Sequence, residues 1–246
     1  MSVKSIPAAP PSAAEGKEAP APSATGMGHT IARADALRIN EIFFSLQGET
    51  SRSGLPTVFV RLTGCPLRCG YCDTAYAFHE GRTRGIDDIL AEVARFKTRY
   101  VCVTGGEPLA QRPCIALLAR LCDAGYSVSL ETSGAIDIGA VDARVSRIVD
   151  VKTPGSLECA KNLWSNLALL NGRDELKFVL CDEADYRWAA DLVSTRALDA
   201  ICPVLFSPSA QDLPAATLAE WILRDQLPVR MQIQLHKVLW NDARGR

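Results

Sequence analysis

The sequence has no apolar run approaching the roughly 20 residues that a membrane helix needs, so no membrane span is expected. It has almost no charge imbalance. Lys and Arg total 27 against 28 Asp and Glu, and a net charge of −1 offers no basic face to nucleic acid or to an anionic lipid surface. A second Cys or His pair at metal-ligand spacing is also missing, and no internal repeat stands out. Residues 2–26 lack aromatics and almost all large aliphatics, being made mainly of Ala, Pro, Ser and Gly. They contain neither the apolar core of a secretory signal nor the Arg content of a transit peptide. Such a segment buries too little apolar surface to offset ordering entropy, so residues 1–35 read as a disordered extension and 36–246 as the folded domain. The whole chain of 246 residues, at 48% hydrophobic and 22% charged, has the composition of an ordinary soluble protein.

What is present is a trio of cysteines, Cys65, Cys69 and Cys72, spaced C-x3-C-x2-C. Thiolates this close do not bridge one another comfortably, but they converge readily on one iron–sulfur cluster, for which Cys is the usual ligand. With only three thiolates, one iron of a 4Fe–4S cubane keeps an open position for chemistry. Zinc is the alternative, with His79 as a nominal fourth ligand, since zinc sites normally take four. Nine cysteines is an odd number, and with no secretory signal it argues against a disulfide framework. The other six, Cys102, Cys114, Cys122, Cys159, Cys181 and Cys202, read as buried thiols of a reducing, cytoplasmic compartment.

Apolar runs predict strands at 40–45, 57–62, 100–104, 127–131, 147–152, 175–181, 200–206 and 230–236, with helical periodicity at 87–96, 114–124, 183–195 and 215–225. This alternation predicts an α/β fold with a mostly parallel sheet, and ligands then bind beyond the carboxyl ends of the strands. Polar clusters follow four of these strands: T-G-G-E-P at 104–108, E-T-S-G at 131–134, D-V-K-T-P at 150–154 and S-P-S at 207–209. Asp150 and Lys152, two apart on a strand, face one side and form either a ligand site or an ordinary ion pair.

The cysteine spacing with T-G-G-E-P resembles the radical S-adenosylmethionine (SAM) superfamily. That resemblance implies a partial (β/α) barrel, a 4Fe–4S cluster and SAM. It implies SAM contacts by Gly106 and Glu107, and it assigns Tyr71, Asp73, Glu131, Ser133, Asp150, Lys152 and Ser207 to the same ligand. Within the superfamily, F-S-L-Q-G-E-T at 44–50, R-L-T-G-C-P-L-R-C at 61–69, C-D-T at 72–74 and L-H-K-V-L-W at 235–240 resemble the 7-carboxy-7-deazaguanine synthase family. The resemblance implies conversion of 6-carboxy-5,6,7,8-tetrahydropterin to 7-carboxy-7-deazaguanine with loss of ammonia, catalytic use of SAM, dependence on Mg²⁺ and a homodimer. An electron donor such as flavodoxin or ferredoxin is expected.

Residue chemistry fits this substrate. Leu46, Gln47, Gly48 and Thr104 complement a pterin edge, Glu49 accepts ring N–H groups, and Arg61 offers a planar fork to the carboxylate. Thr74 matches the family's Mg²⁺ threonine, and His236 its pocket histidine. The plainer alternatives are a polar loop at 47–49, an ion pair at Arg61, a cap at Thr74 and a core histidine at His236. A glycyl-radical activating enzyme is the rival enzyme, and a non-catalytic metal-binding module the rival of another class. The chain departs from the family pattern at its end, where W-N-D-A-R-G-R follows Leu239.

Overall fold

The computed structural model describes residues 35–241 and 243–245, so the N-terminal extension expected over residues 1–35 lies, Asp35 apart, outside the described residues. Strands β1 (Ala36–Leu46) and β2 (Pro56–Leu62) pair antiparallel across a loop that carries residues 47–49. A short strand β3 (Arg82–Gly85) pairs with the start of β1. Strand and helix then alternate through α1 (Ile86–Val93), β4 (Tyr100–Gly105), α2 (Cys114–Asp123) and β5 (Ser127–Thr132). Next come β6 (Ser146–Asp150), β7 (Glu175–Leu180), α3 (Glu183–Arg196), β8 (Val204–Pro208), α4 (Ala215–Asp225), β9 (Arg230–Met231) and α5 (Leu235–Trp240). The strands form one sheet in the order β3-β1-β2-β4-β5-β6-β7-β8-β9, parallel at every pairing from β2 to β9. Its two edges do not meet, so the expected partial barrel is what forms.

Period-2 alternation divides each central strand between two environments. Val58, Val60 and Leu62 of β2, Val101 and Val103 of β4, Val128 and Leu130 of β5, and Leu176, Phe178 and Leu180 of β7 belong to the main apolar core. The intervening residues, Phe59 and Arg61, Thr104, Glu131, and Lys177 and Val179, line a cavity on the other face. The core side is therefore apolar, and the concave side carries the charges.

Several expected boundaries move. Strand β3 and helix α5 were not anticipated, and the strand expected over 230–236 ends at Met231, placing His236 on α5. The strand expected from Ala200 starts at Val204 and runs to Pro208, because 198–200 form a 3-10 turn. Lys152 lies just beyond the end of β6. Of the six further cysteines, Cys102, Cys114 and Cys202 are buried as expected, whereas Cys122, Cys159 and Cys181 are only partly covered.

Where β6 meets β7, Arg147 and Asp174 form a buried pair. The guanidinium donates to both carboxylate oxygens, at 3.0 and 2.6 Å, and to the Leu169 carbonyl at 2.7 Å. Asp174→Ala leaves a buried cation without its partner and is expected to lower stability by about 3–5 kcal/mol, read by urea denaturation.

Candidate active site

A cavity of about 270 Å³ opens at the carboxyl ends of the parallel strands. It is lined by the loop after β1, the cysteine loop after β2, the ends of β4 to β7, and α5 with the residues that follow it. All three motif cysteines lie on its wall.

On one side stand the groups expected to hold a heterocycle. Gln47 is buried, donates Nε2 to Glu131 Oε1 at 3.2 Å, and accepts from the Glu49 amide. Thr104 Oγ1 donates to the other Glu131 oxygen at 2.9 Å. Glu131, assigned from sequence to SAM, is thus tied to the two residues assigned to substrate. Leu46 and Gly48 complete this edge, and the His236 ring packs on Gly48 so closely that a Cβ there would sit 2.6 Å from Nδ1. Arg61 does form the ion pair that was its plainer reading, since its Nε donates to Glu41 at 2.8 Å. Among the described residues only that nitrogen is engaged. Burial disfavours the Arg61 charge, but Tyr76 and Glu41 more than restore it, so the guanidinium stays fully cationic.

The far side is a chain of alternating charge. Glu49 binds Lys177 at 2.8 Å, Lys177 binds Asp150 at 3.3 Å, and Asp150 binds Lys152 at 2.7 Å. Burial works against the charges of Lys152, Lys177 and Asp150. Their partners outweigh it, pushing Lys152 and Lys177 up from the usual lysine value and Asp150 down from the usual carboxylate value. Gln234 donates to both Glu49 and Asp73, at 3.0 and 3.1 Å, and Lys237 pairs with Asp73 at 3.1 Å. Burial opposes the Asp73 charge as well, yet Lys237, Thr74 and Gln234 hold it at about 2.

The residues fit a cluster with SAM. Among the described residues no three His, Cys, Asp or Glu converge on a single metal ion. A cubane does not ask for that, because each thiolate takes a different iron. Gly106 closes against the cysteine loop so tightly that a Cβ would overlap the Gly64 carbonyl and lie 2.9 Å from Cys65 Cβ. Beside the trio, the Tyr71 hydroxyl is buried on the cavity wall without a hydrogen-bond partner. Burial raises its pKa, which keeps it a neutral donor. An orphaned hydroxyl next to the Asp150–Lys152 pair suits a polar ligand at that point. Ser133 also reaches the cavity.

Two assignments are corrected. The Glu107 carboxylate does not line the cavity: it is fully buried and accepts from the Leu109 and Ser133 amides and the Thr132 and Ser133 hydroxyls. It clamps the ends of β4 and β5 together from below. Ser207 is buried on β8 short of the cavity, and Ser209 lines the wall in its place. The capping alternative for Thr74 also fails, since its hydroxyl donates to Asp73 at 2.8 Å and makes no cap bond. Sequence reasoning missed Lys177, Gln234 and Lys237, together with Tyr76 and residues 243–245 on the wall. The available signal for Lys177 was one charged residue inside the apolar strand E-L-K-F-V-L.

The fold and the three-cysteine wall define a radical SAM enzyme, and the Radical SAM superfamily model matches residues 59–152. Its class carries a 4Fe–4S cluster and uses SAM. The chain is 47% identical to a 7-carboxy-7-deazaguanine synthase of Chlorobaculum tepidum, over 85% of this chain and 97% of that protein. It is 42% identical to the enzyme of the same name from Koribacter versatilis, over 83% and 97%. The crystal structure of QueE from Escherichia coli superposes with a TM-score of 0.68 at 25% identity, covering 82% of this chain and 95% of that one. The chain belongs to the 7-carboxy-7-deazaguanine synthase family.

The charge chain sets a pH response. Depressed Asp73 and Asp150 stabilise the fold above the ordinary carboxylate value of 3.8 and lose that contribution as pH falls through their folded values. Raised Lys152 and Lys177 contribute below 10.5 and lose it as pH rises through theirs. Lys177→Met is therefore expected to cost about 3–5 kcal/mol at neutral pH, by leaving Glu49 and Asp150 face to face. Thermal melts across pH should show that deficit shrinking below about pH 4, where carboxylates protonate.

Proposed function

We infer that this chain converts 6-carboxy-5,6,7,8-tetrahydropterin to 7-carboxy-7-deazaguanine with release of ammonia, in deazapurine biosynthesis. The observation that carries the reading is the pairing, within one cavity, of the three-cysteine wall with a ring-binding edge and a guanidinium. Bound together, a 4Fe–4S cluster and SAM supply a 5′-deoxyadenosyl radical, and that radical chemistry belongs to the cofactor.

The chain's own side chains orient and hold. Cys65, Cys69 and Cys72 would ligate the cluster, and Gly106 packs its backbone against the loop that carries them. Lys152 and Asp150, with the Tyr71 hydroxyl and Ser133, offer a cation, an anion and neutral donors to the amino-acid and ribose parts of SAM. Gln47, Thr104 and Glu131 form a connected set of donors and acceptors for the pterin edge. Glu49, paired with Lys177, accepts ring N–H groups. Arg61 presents its two terminal nitrogens to the substrate carboxylate. Thr74 supplies a hydroxyl oxygen for Mg²⁺, which keeps several waters and takes few protein ligands.

The cluster's electron would come from a one-electron donor such as flavodoxin or ferredoxin. Exposed Ile233, Val238 and Leu239 on and beside α5 support a homodimer that covers them. Nine unpaired thiols support a reducing, cytoplasmic compartment, and no helix among the described residues is long and apolar enough to cross a membrane.

Anaerobically reconstituted protein with dithionite, SAM, Mg²⁺ and the carboxylated pterin is expected to yield deazaguanine product in excess of SAM consumed, by mass spectrometry. SAM cleavage without that product would remove the substrate assignment. Cys65→Ala, Cys69→Ala and Cys72→Ala are each expected to lose bound iron, the visible cluster absorbance and all turnover. Thr74→Val is expected to raise the Mg²⁺ concentration for half-maximal turnover by about tenfold while leaving iron content unchanged.

A further inference from the structure

We propose that Arg244 is a positioning residue that holds Arg61 in place for the substrate carboxylate, acting through Tyr76 and Glu41. The proposal rests on the assignment of Arg61 to that carboxylate.

The geometry runs link by link. Ala243, Arg244 and Gly245 lie along the cavity wall, in the part of the chain that departs from the family pattern. The Arg244 guanidinium sits 3.8 Å from the centre of the Tyr76 ring. The Tyr76 hydroxyl donates to Glu41 Oε1 at 2.8 Å, and the same oxygen accepts from Arg61 Nε at 2.8 Å. Arg61 itself lies beside the rings of Phe43 and Tyr76, at 5.7 and 5.9 Å from their centres. One carboxylate oxygen thus sets the angle of the Arg61 fork, and the tyrosine sets the carboxylate.

Tyr76 needs an external hold. It sits on the 3-10 turn Ala75–Phe78, which has no side-chain cap, and the ring is only partly buried. Burial first, and then the Glu41 bond, push its pKa up to about 12, so the hydroxyl remains a donor at working pH. Arg244 also pairs with Glu80 at 3.2 Å, but both side chains are more than half exposed, and such a pair is screened and weak. The ring contact is therefore what fixes the guanidinium, by the attraction of a cation for the face of an aromatic. Without it Tyr76 turns away from Glu41. Glu41 can then take both edges of Arg61, and the terminal nitrogens leave the cavity.

The test compares Arg244→Gln, Arg244→Lys and Glu80→Gln in the full-length reconstituted enzyme. Arg244→Gln is expected to raise KM for 6-carboxytetrahydropterin about two- to fivefold, with kcat unchanged and SAM affinity unchanged. Arg244→Lys should recover part of the loss, and Glu80→Gln should match wild type. Tetrahydropterin without the carboxylate, used as a competitor, should bind wild type and Arg244→Gln equally. A wild-type KM in Arg244→Gln overturns the proposal. So does a Glu80→Gln variant that reproduces the defect, or weaker binding of the carboxylate-free competitor to Arg244→Gln. Failure of the wild-type enzyme to turn over the carboxylated pterin overturns the functional reading instead. Circular dichroism melts guard against misfolding, and at an exposed side chain they should be superimposable.

Discussion

A charge taken out of water has to be answered by another charge, and the concave face of this sheet is organised by that requirement. Glu49, Lys177, Asp150 and Lys152 alternate in sign, and none of their side chains is more than 20% exposed. They belong to the loop after β1, to β7, to the last residue of β6 and to the turn just beyond it. One connected set of ion pairs therefore joins the antiparallel beginning of the chain to its parallel centre. The fixed charges also decide what each region of the cavity accepts. Lys152 faces Tyr71 and the cysteine loop, whereas Glu49 faces the ring-binding edge. Gln234 extends the chain to Asp73, so α5 and the cysteine loop are held by the same network.

The cysteine loop itself is held mainly by backbone. The Glu107 amide donates to the Gly64 carbonyl at 2.8 Å, and the Gly64 amide donates to the Ala77 carbonyl at 2.8 Å. With Gly106 packed against the loop, a trio of partly exposed thiols rests on a floor with no spare volume. The buried Glu107 carboxylate beneath it ties β4 to β5. A residue that reads from sequence as a ligand contact thus serves the same site from one layer down, by fixing the strand ends that frame it.

The sequence was most legible where the signal is local. The cysteine trio, T-G-G-E-P and F-S-L-Q-G-E-T are short, and their chemistry follows from residue type and spacing. The parallel sheet was legible because strand-like and helix-like segments alternate along the chain, the pattern of βαβ units. Lys177 was not legible, since one lysine inside E-L-K-F-V-L gives no hint of the two carboxylates that meet it from 128 and 27 residues away in sequence. His236 was placed on a strand because Q-I-Q-L-H alternates, yet the pairing with β8 ends at Met231 and Leu235 instead donates to the Gly48 carbonyl. The contact of Arg244 with Tyr76 spans most of the chain and leaves no trace in either neighbourhood. Depth was equally hidden: nothing in G-G-E-P says that its carboxylate is saturated by β5.

The open sheet has a consequence for how copies of this protein meet. Unpaired strand edges attract other strands, and a partial barrel leaves two of them. Here one edge is β3, only four residues long with Arg82 and Arg84 among them, and the other is β9, only two residues long and beginning with Arg230. Each covers only part of the strand beside it: β3 pairs with Ala36–Ile39 of β1, and β9 with Leu205 and Phe206 of β8. Beyond Ile39 the outer edge of β1 therefore carries backbone groups that no strand among the described residues pairs. A second copy that meets this sheet edge to edge would do so along that stretch of the hairpin.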